Sequence, residues 1–587
     1  MKHFNFLITI VLAITLVLSS CKKDNFAPPG NTLVIEKPGI QQKEGPIVLG
    51  LQLEDPYSLK NMKQAYANLK AGNADVADLD IQPTHTYSRY LPKNEEEWGI
   101  LKTDTTIVWY DYPLDYEIVN LGTTYHDPTL HENAITWQYC VVPIGHTMPD
   151  IHHELLYEVY IPAKDANSGL KSSTSTKQFL LALEHESVKL TGNLPENELK
   201  STTGLLPAEW TPKGTIKVWD DMIGRTITYT QVFDHWEYYD CITGDPVLPP
   251  QPEQLAKIQP KIEPMMMQPI DQCQRAVYRY NPVEVAGSYI PLVQATVHAR
   301  WFTHIESDLT DNNGYFETSK FNYEVNYAIK WERADFDIRS DNWGQAWYNG
   351  PKQKGDWNLN ISQGGMSWIY AHIHRGAYTY YYANTYGIKT PPKDGQLLNQ
   401  RIHIGAMEKS GRSHYYEFNK FWLSPQIKIY AYSNAGNWNI GEYIFGATVH
   451  ELAHASHWEI GYTYGQYVVD AIFSEPFLPE SWAQGVEAVI TSNIYGNVWV
   501  QDQNIPLNGI IGNGGYTPIV WDMIDTVNQR AISGIALPID NVSGYTLKQL
   551  EDALYGNYTW SSWRNAIRDN NVNPTEDNLT ELFGNYK

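Results

Sequence analysis

Between residues 444 and 453, the apolar side chains Ile444, Phe445, Val449, Leu452 and Ala453 recur at helical spacing, which predicts a buried helix. Asn439 is its expected N-cap, with Glu442 three residues on as in a capping box, and Gly461 is the expected stop. A second helix is expected from Pro479, because Trp482, Val486, Val489 and Ile490 then share one face. Period-two patterns predict strands over residues 106–112, 291–300, 325–331 and 426–432, and residues 310–316 read as a turn running into an aromatic strand. Residues 58–70, 519–524, 546–554 and 560–568 read as helices.

The first predicted helix carries Thr448-Val-His-Glu-Leu-Ala-His-Ala-Ser-His-Trp458. His450 and His454 lie about one turn apart, so two imidazoles can converge on one metal ion, while Glu451 stands beside them as a base for a water proton. His457 shares the face, but three rings in a row span roughly 10 Å, too long for one coordination sphere. The third ligand is therefore expected from another segment, with Glu480 the candidate and Glu487 and Glu475 its rivals.

With Glu480-Ser-Trp-Ala483 following the His-Glu-x-x-His pattern, the chain resembles the gluzincin branch of the zincin metallopeptidases. The resemblance implies one Zn²⁺ per chain held by His450, His454 and Glu480, Glu451 as general base, and a peptide or protein substrate. It also implies a strand beside the cleft, for which 426–432 is placed, and a downstream oxyanion donor, for which Tyr516 is the candidate and Tyr495 the rival. A second pair, His372 and His374, would present two imidazoles on one face if the segment were a strand.

The Pro291-Leu-x-x-Ala-x-Val and Thr310-Asp-x-x-Gly-x-Phe patterns resemble the carboxypeptidase regulatory-like domain, a small transthyretin-like β-sandwich. The expected fold is multidomain α+β. Residues 47–280 form an N-terminal α+β region of undecided role, 281–345 the β-sandwich, and 346–587 a mainly helical zincin domain. A proline-rich boundary is expected over 246–270.

At the start, Lys2 precedes an apolar run over residues 4–18, and Leu18-Ser-Ser-Cys21 resembles a bacterial lipobox. Residues 1–21 are expected to be a lipoprotein signal peptide, with Cys21 lipidated, and the proline- and glycine-bearing residues 22–46 a flexible tether. This places the protein in the cell envelope, anchored by lipid to the outer membrane of a Gram-negative bacterium.

The formal charge of −23 argues against a nucleic-acid partner, because phosphate would be repelled. Cys140, Cys241 and Cys273 allow one disulfide, with Cys241–Cys273 the candidate pair, or three reduced thiols. Twenty Trp and forty-one Tyr either fill β-rich cores or stack on ligands, so the alternative function is a glycan- or peptide-binding surface lipoprotein with a non-catalytic zincin-like domain.

Overall fold

The structure is a computed structural model. It describes residues 33–35, 45–72, 80–132, 134–164, 174–195, 206–223, 226–240, 246–247, 272–341, 344–383, 386–391, 401–415, 425–461, 477–496, 517–526, 528 and 539–586. The signal peptide with Cys21, nearly all of the tether and of the proline-rich boundary, Glu475, Tyr516 and Cys241 lie outside those residues. Helices and sheets are both abundant, making the chain α+β. The described residues fall into two compact units, one drawn from 38–220 and 289–587, the other from 33–35 and 221–288.

The smaller unit is built on one long antiparallel pair, Thr226–Asp240 with Gln272–Ala286. Leu33–Ile35 runs parallel to the end of the second strand, and Pro246–Val247 pairs with the first.

In the larger unit, Gln138–Pro143, His85–Tyr90 and His153–Val159 form an antiparallel sheet, and the helices Leu59–Gly72 and Thr174–Leu190 pack on each other. Cys140 is a buried free thiol in this sheet. Residues 106–112 do not form the expected strand and make a single bridge, Tyr110 to Tyr139. Trp109, Tyr110, Asp111 and Tyr112 are consecutive and all buried, so packing on more than one side sets the path where a strand would send alternate residues to water.

Two further sheets follow. His304–Leu309, Thr296–Trp301, Val325–Lys330 and Trp347–Gln353 form one; Ser288–Pro291, Lys213–Asp220 and Tyr315–Glu317 form the other, with Leu359–Ile361 also pairing Lys213–Asp220. The predicted strand over 291–300 is broken in two, because Gln294 takes a φ of 57° between its halves. The turn before Phe316 is set by Asp311, whose carboxylate accepts from the amides of Asn313 and Tyr315, each at 2.8 Å. Gly314 completes it at a φ of 75°, a conformation open to glycine.

A five-stranded sheet carries the remainder, in the order Gly344–Gln345, Phe336–Ser340, Ile402–Ser410, Ile427–Tyr432, His414–Tyr415, with the central three parallel. The short helix Glu95–Lys102 is bound to it by buried charge. Lys102 Nζ lies 2.9 Å from Asp337, and Arg339 donates to both oxygens of Glu95. The helices Met366–Tyr382 and Gly441–Gly461 pack against this sheet and against each other.

His372 and His374 lie on the Met366–Tyr382 helix, not on a strand. Two residues apart on a helix, they point about 200° apart, so they cannot share an ion. His372 Nε2 donates to the Trp219 carbonyl at 3.1 Å and His374 Nε2 to that of Val293 at 3.0 Å, which accounts for their burial. The local pattern misleads because this helix is buried on most of its circumference and shows no polar stripe at either period.

Candidate metal centre

The motif helix, Gly441–Gly461, is closed in on nearly every side: Ile444, Phe445, Ala447, Val449, Leu452, Ala453 and Ala455 are all buried. It lies between the Met366–Tyr382 helix and the Phe477–Tyr495 helix. On the first side the backbones come close because Gly376 has no side chain; a Cβ there would stand 2.9 Å from the Phe445 carbonyl oxygen. Asn439 does not cap the helix. Its side-chain amide donates to the Tyr430 carbonyl at 2.9 Å and its N–H to that of Ala431, fastening the approach to the helix onto the neighbouring strand.

The glutamate helix begins at Phe477, so Pro479 falls in the first turn, where its missing N–H costs no helical bond. Trp482, Ala483 and Val486 are fully buried and fix its rotation. Behind it, Gly485 lets Val520 of the Ile519–Ile524 helix press onto the backbone, and Thr517 donates to the hydroxyl of Ser481 at 2.8 Å.

This packing brings together His450, His454 and Glu480, the one group of three such side chains among the described residues that could hold a metal ion. The two Nε2 atoms are 3.1 Å apart, and Glu480 Oε2 lies 3.5 Å from His450 Nε2 and 3.4 Å from His454 Nε2. A tetrahedral ion with bonds of about 2.0–2.1 Å needs donor separations of about 3.3–3.4 Å, so the triangle has the size that a zinc-like cation requires. His450 is 2% exposed, while His454 and Glu480 keep 10% and 11%, so the group is reached from the side of the latter two.

Glu487 stands at the other nitrogen of the first ring. His450 Nδ1 donates to its Oε2 at 3.1 Å, which orients the ring so that Nε2 faces His454 and Glu480, the nitrogen that would ligate once a cation displaces its proton. Glu487 is therefore placed to orient a ligand, not to bind with it. The carboxylate fits because residue 446 is glycine; a Cβ there would meet Glu487 Oε1 at 2.6 Å.

The surplus of carboxylates governs the charge. Burial alone would push the His450 imidazole down, yet Glu480 and Glu487 outweigh it and hold its pKa up at about 10. Burial acts against the charged form of Glu480 as well, but the two imidazoles overcome it and keep the carboxyl well below the usual range. Burial raises Glu451, and the neighbouring imidazoles offset this only in part. Its Oε2 is buried without a hydrogen-bond partner among the described residues. The donor set of two imidazoles and one carboxylate, with a surplus of negative charge behind it, fits a divalent cation.

Other expected residues fall elsewhere. His457 is buried but does not join the group. The Tyr495 hydroxyl donates to Asp220 at 2.8 Å and accepts from Arg375 at 3.1 Å, so it serves a buried ion pair. The role of Glu487 had a signal in the sequence: seven residues past Glu480 is two turns on the same face. Comparison with family models, with curated proteins and with solved structures finds no match to this chain.

Proposed function

We propose that the protein is a zinc-dependent metallopeptidase of gluzincin type, anchored to the outer membrane through lipid on Cys21. What supports the enzymatic reading is the size of the His450–His454–Glu480 triangle, with an unpartnered carboxylate oxygen of Glu451 in the adjoining position. His450, His454 and Glu480 would hold the ion, and Glu487 would keep the first imidazole in the ligating tautomer. When bound, zinc supplies a Lewis acid that polarises a carbonyl and acidifies a water. Glu451 takes the proton as the water adds to the peptide carbonyl and returns it to the departing amine. Its burial keeps bulk water from competing for that proton.

The test is Glu451→Gln. The variant is expected to retain about one zinc per chain and to lose peptide hydrolysis by orders of magnitude. Wild-type cleavage by this variant, or wild-type protein that takes up no zinc, would refute the proposal.

A further inference from the structure

Where the strand Val325–Lys330 ends beside the five-stranded sheet, three cations meet at one carboxylate. Glu332 Oε1 lies 2.9 Å from Lys330 Nζ, and its Oε2 lies 3.2 Å from Arg401 Nη1 and 3.4 Å from Lys102 Nζ. The backbone fixes the meeting point: Glu332 bridges to Asp337, its carbonyl accepts from the Thr296 hydroxyl at 2.9 Å, and the Ile402 amide, next to Arg401, donates to the Asp335 carbonyl at 3.0 Å. Lys330 and Arg401 are 2% and 8% exposed.

Donors outnumber acceptors here. Lys102 is satisfied, because its Nζ also donates to Asp337 at 2.9 Å and to Gln345 at 3.0 Å. Lys330 Nζ and Arg401 Nε and Nη1 are buried with no well-oriented acceptor among the described residues. An ammonium carries three N–H bonds and those two guanidinium nitrogens three more, whereas Glu332 offers two oxygens and shares one with Lys102.

Charge is in surplus as well. Lys102, Lys330, Arg339 and Arg401 face Glu332, Asp337 and Glu95, four cations against three carboxylates, and burial keeps the His403 imidazole below its usual pKa and so neutral. Burial lowers Lys330 to about 8, and Lys102 and Arg401 push it the same way, against the pull of Glu332. Asp111 feels both lysines, but burial raises its carboxyl to about 7, so it offsets the surplus only in part. An uncompensated buried cation is costly, and a small anion among these N–H groups would remove the cost.

We propose that Lys330 and Arg401, gathered by Glu332, form a binding site for a chloride-type monoanion. One unmatched positive charge calls for one negative charge, and a spherical ion accepts N–H bonds from any direction. Phosphate, which carries more than one charge near neutral pH, would leave the interior negative. Arg401 and Glu332 keep 9% and 14% of their side-chain surface, so the ion would enter from their side. The site is separate from the triad and does not rest on the peptidase reading.

The test follows thermal unfolding of the full chain while NaCl replaces sodium gluconate at constant ionic strength. Chloride and bromide are each expected to raise Tm saturably, sodium phosphate to do less, and Arg401→Gln to raise the half-saturating chloride concentration by about tenfold or more. Crystals of the wild-type protein grown in NaBr should show an anomalous bromide peak between Lys330 Nζ and the Arg401 guanidinium. This readout needs no variant, so it decides the matter even if Arg401→Gln does not fold. No bromide peak at that place, or a chloride response undiminished in Arg401→Gln, would overturn the proposal and leave Asp111 as the remaining counter-charge.

Discussion

His450 Nδ1 lies 3.1 Å from the carboxylate of Glu487, while the Nε2 of the same ring faces Glu480 and His454. The two glutamates of one helix thus address opposite nitrogens of a single imidazole, and their substitutions should differ in kind. Glu480→Ala removes a donor and is expected to abolish stoichiometric zinc binding. Glu487→Gln keeps all three donors and is expected to weaken affinity by about 10–100-fold. Competition with a chromophoric chelator measures both, and complete metal loss in the Glu487 variant alone would reverse the assignment.

Gly446→Ala tests the same relationship without touching a charged group. Its methyl would stand 2.6 Å from Glu487 Oε1, which forces the carboxylate away from His450. Alanine is a better helix former by about 1 kcal/mol, so the helix itself is not expected to suffer. The outcome is weaker metal binding, within the range of Glu487→Gln, with far-ultraviolet circular dichroism unchanged.

Gly485→Ala should act on the other side of the glutamate helix. An added Cβ meets the Val520 side chain at 2.2 Å, an overpacking expected to cost about 1–3 kcal/mol. Urea denaturation measures the loss, and the double variant with Val520→Ala should recover a substantial part of it. No recovery would show that the strain lies elsewhere.

The neutral buried histidines should lose their contribution to stability as the solution is made acid, beginning near pH 6.5. Burial lowers His298 and His372 to about 3 and His374 and His85 to about 4, so the folded protein holds all four neutral. The unfolded chain protonates them near 6.5, so their stabilisation is complete above that pH and is lost as pH falls toward 4 and then 3. Each contributes a slope of at most about 1.4 kcal/mol per pH unit. His450, raised to about 10 without a cation, works in the opposite sense, and so do the buried carboxyls of Asp55, Asp111 and Glu551, each raised to about 7. The stability difference between metal-free wild type and His298→Gln isolates one histidine, and on going from pH 7.5 to 5.5 it should move against the wild type by about 1.4 kcal/mol in urea denaturation; a shift in its favour would contradict the burial argument.

The sequence was most legible where a pattern is local. The one-turn spacing of His450 and His454, the apolar face that aims Glu480 and the turn over 310–316 all depend on neighbours within a few residues. It was least legible where burial is complete. The Met366–Tyr382 helix and residues 106–112 carry apolar and aromatic side chains on several sides, so neither the period of 3.6 nor that of 2 shows through. Glu487 lies between these cases: its face can be read from spacing, but which nitrogen it meets depends on how two helices are rotated against each other.

The strand Phe336–Ser340 lies inside the five-stranded sheet, and Asp220, from a strand far earlier in the chain, closes the ion pair that receives Tyr495 at the end of the glutamate helix. The triad is consequently not an excisable part. A recombinant fragment starting after Ser340 would lose a central strand and leave Arg375 without its counter-ion, so shortening this protein for laboratory use has to spare segments that look, from their position, dispensable.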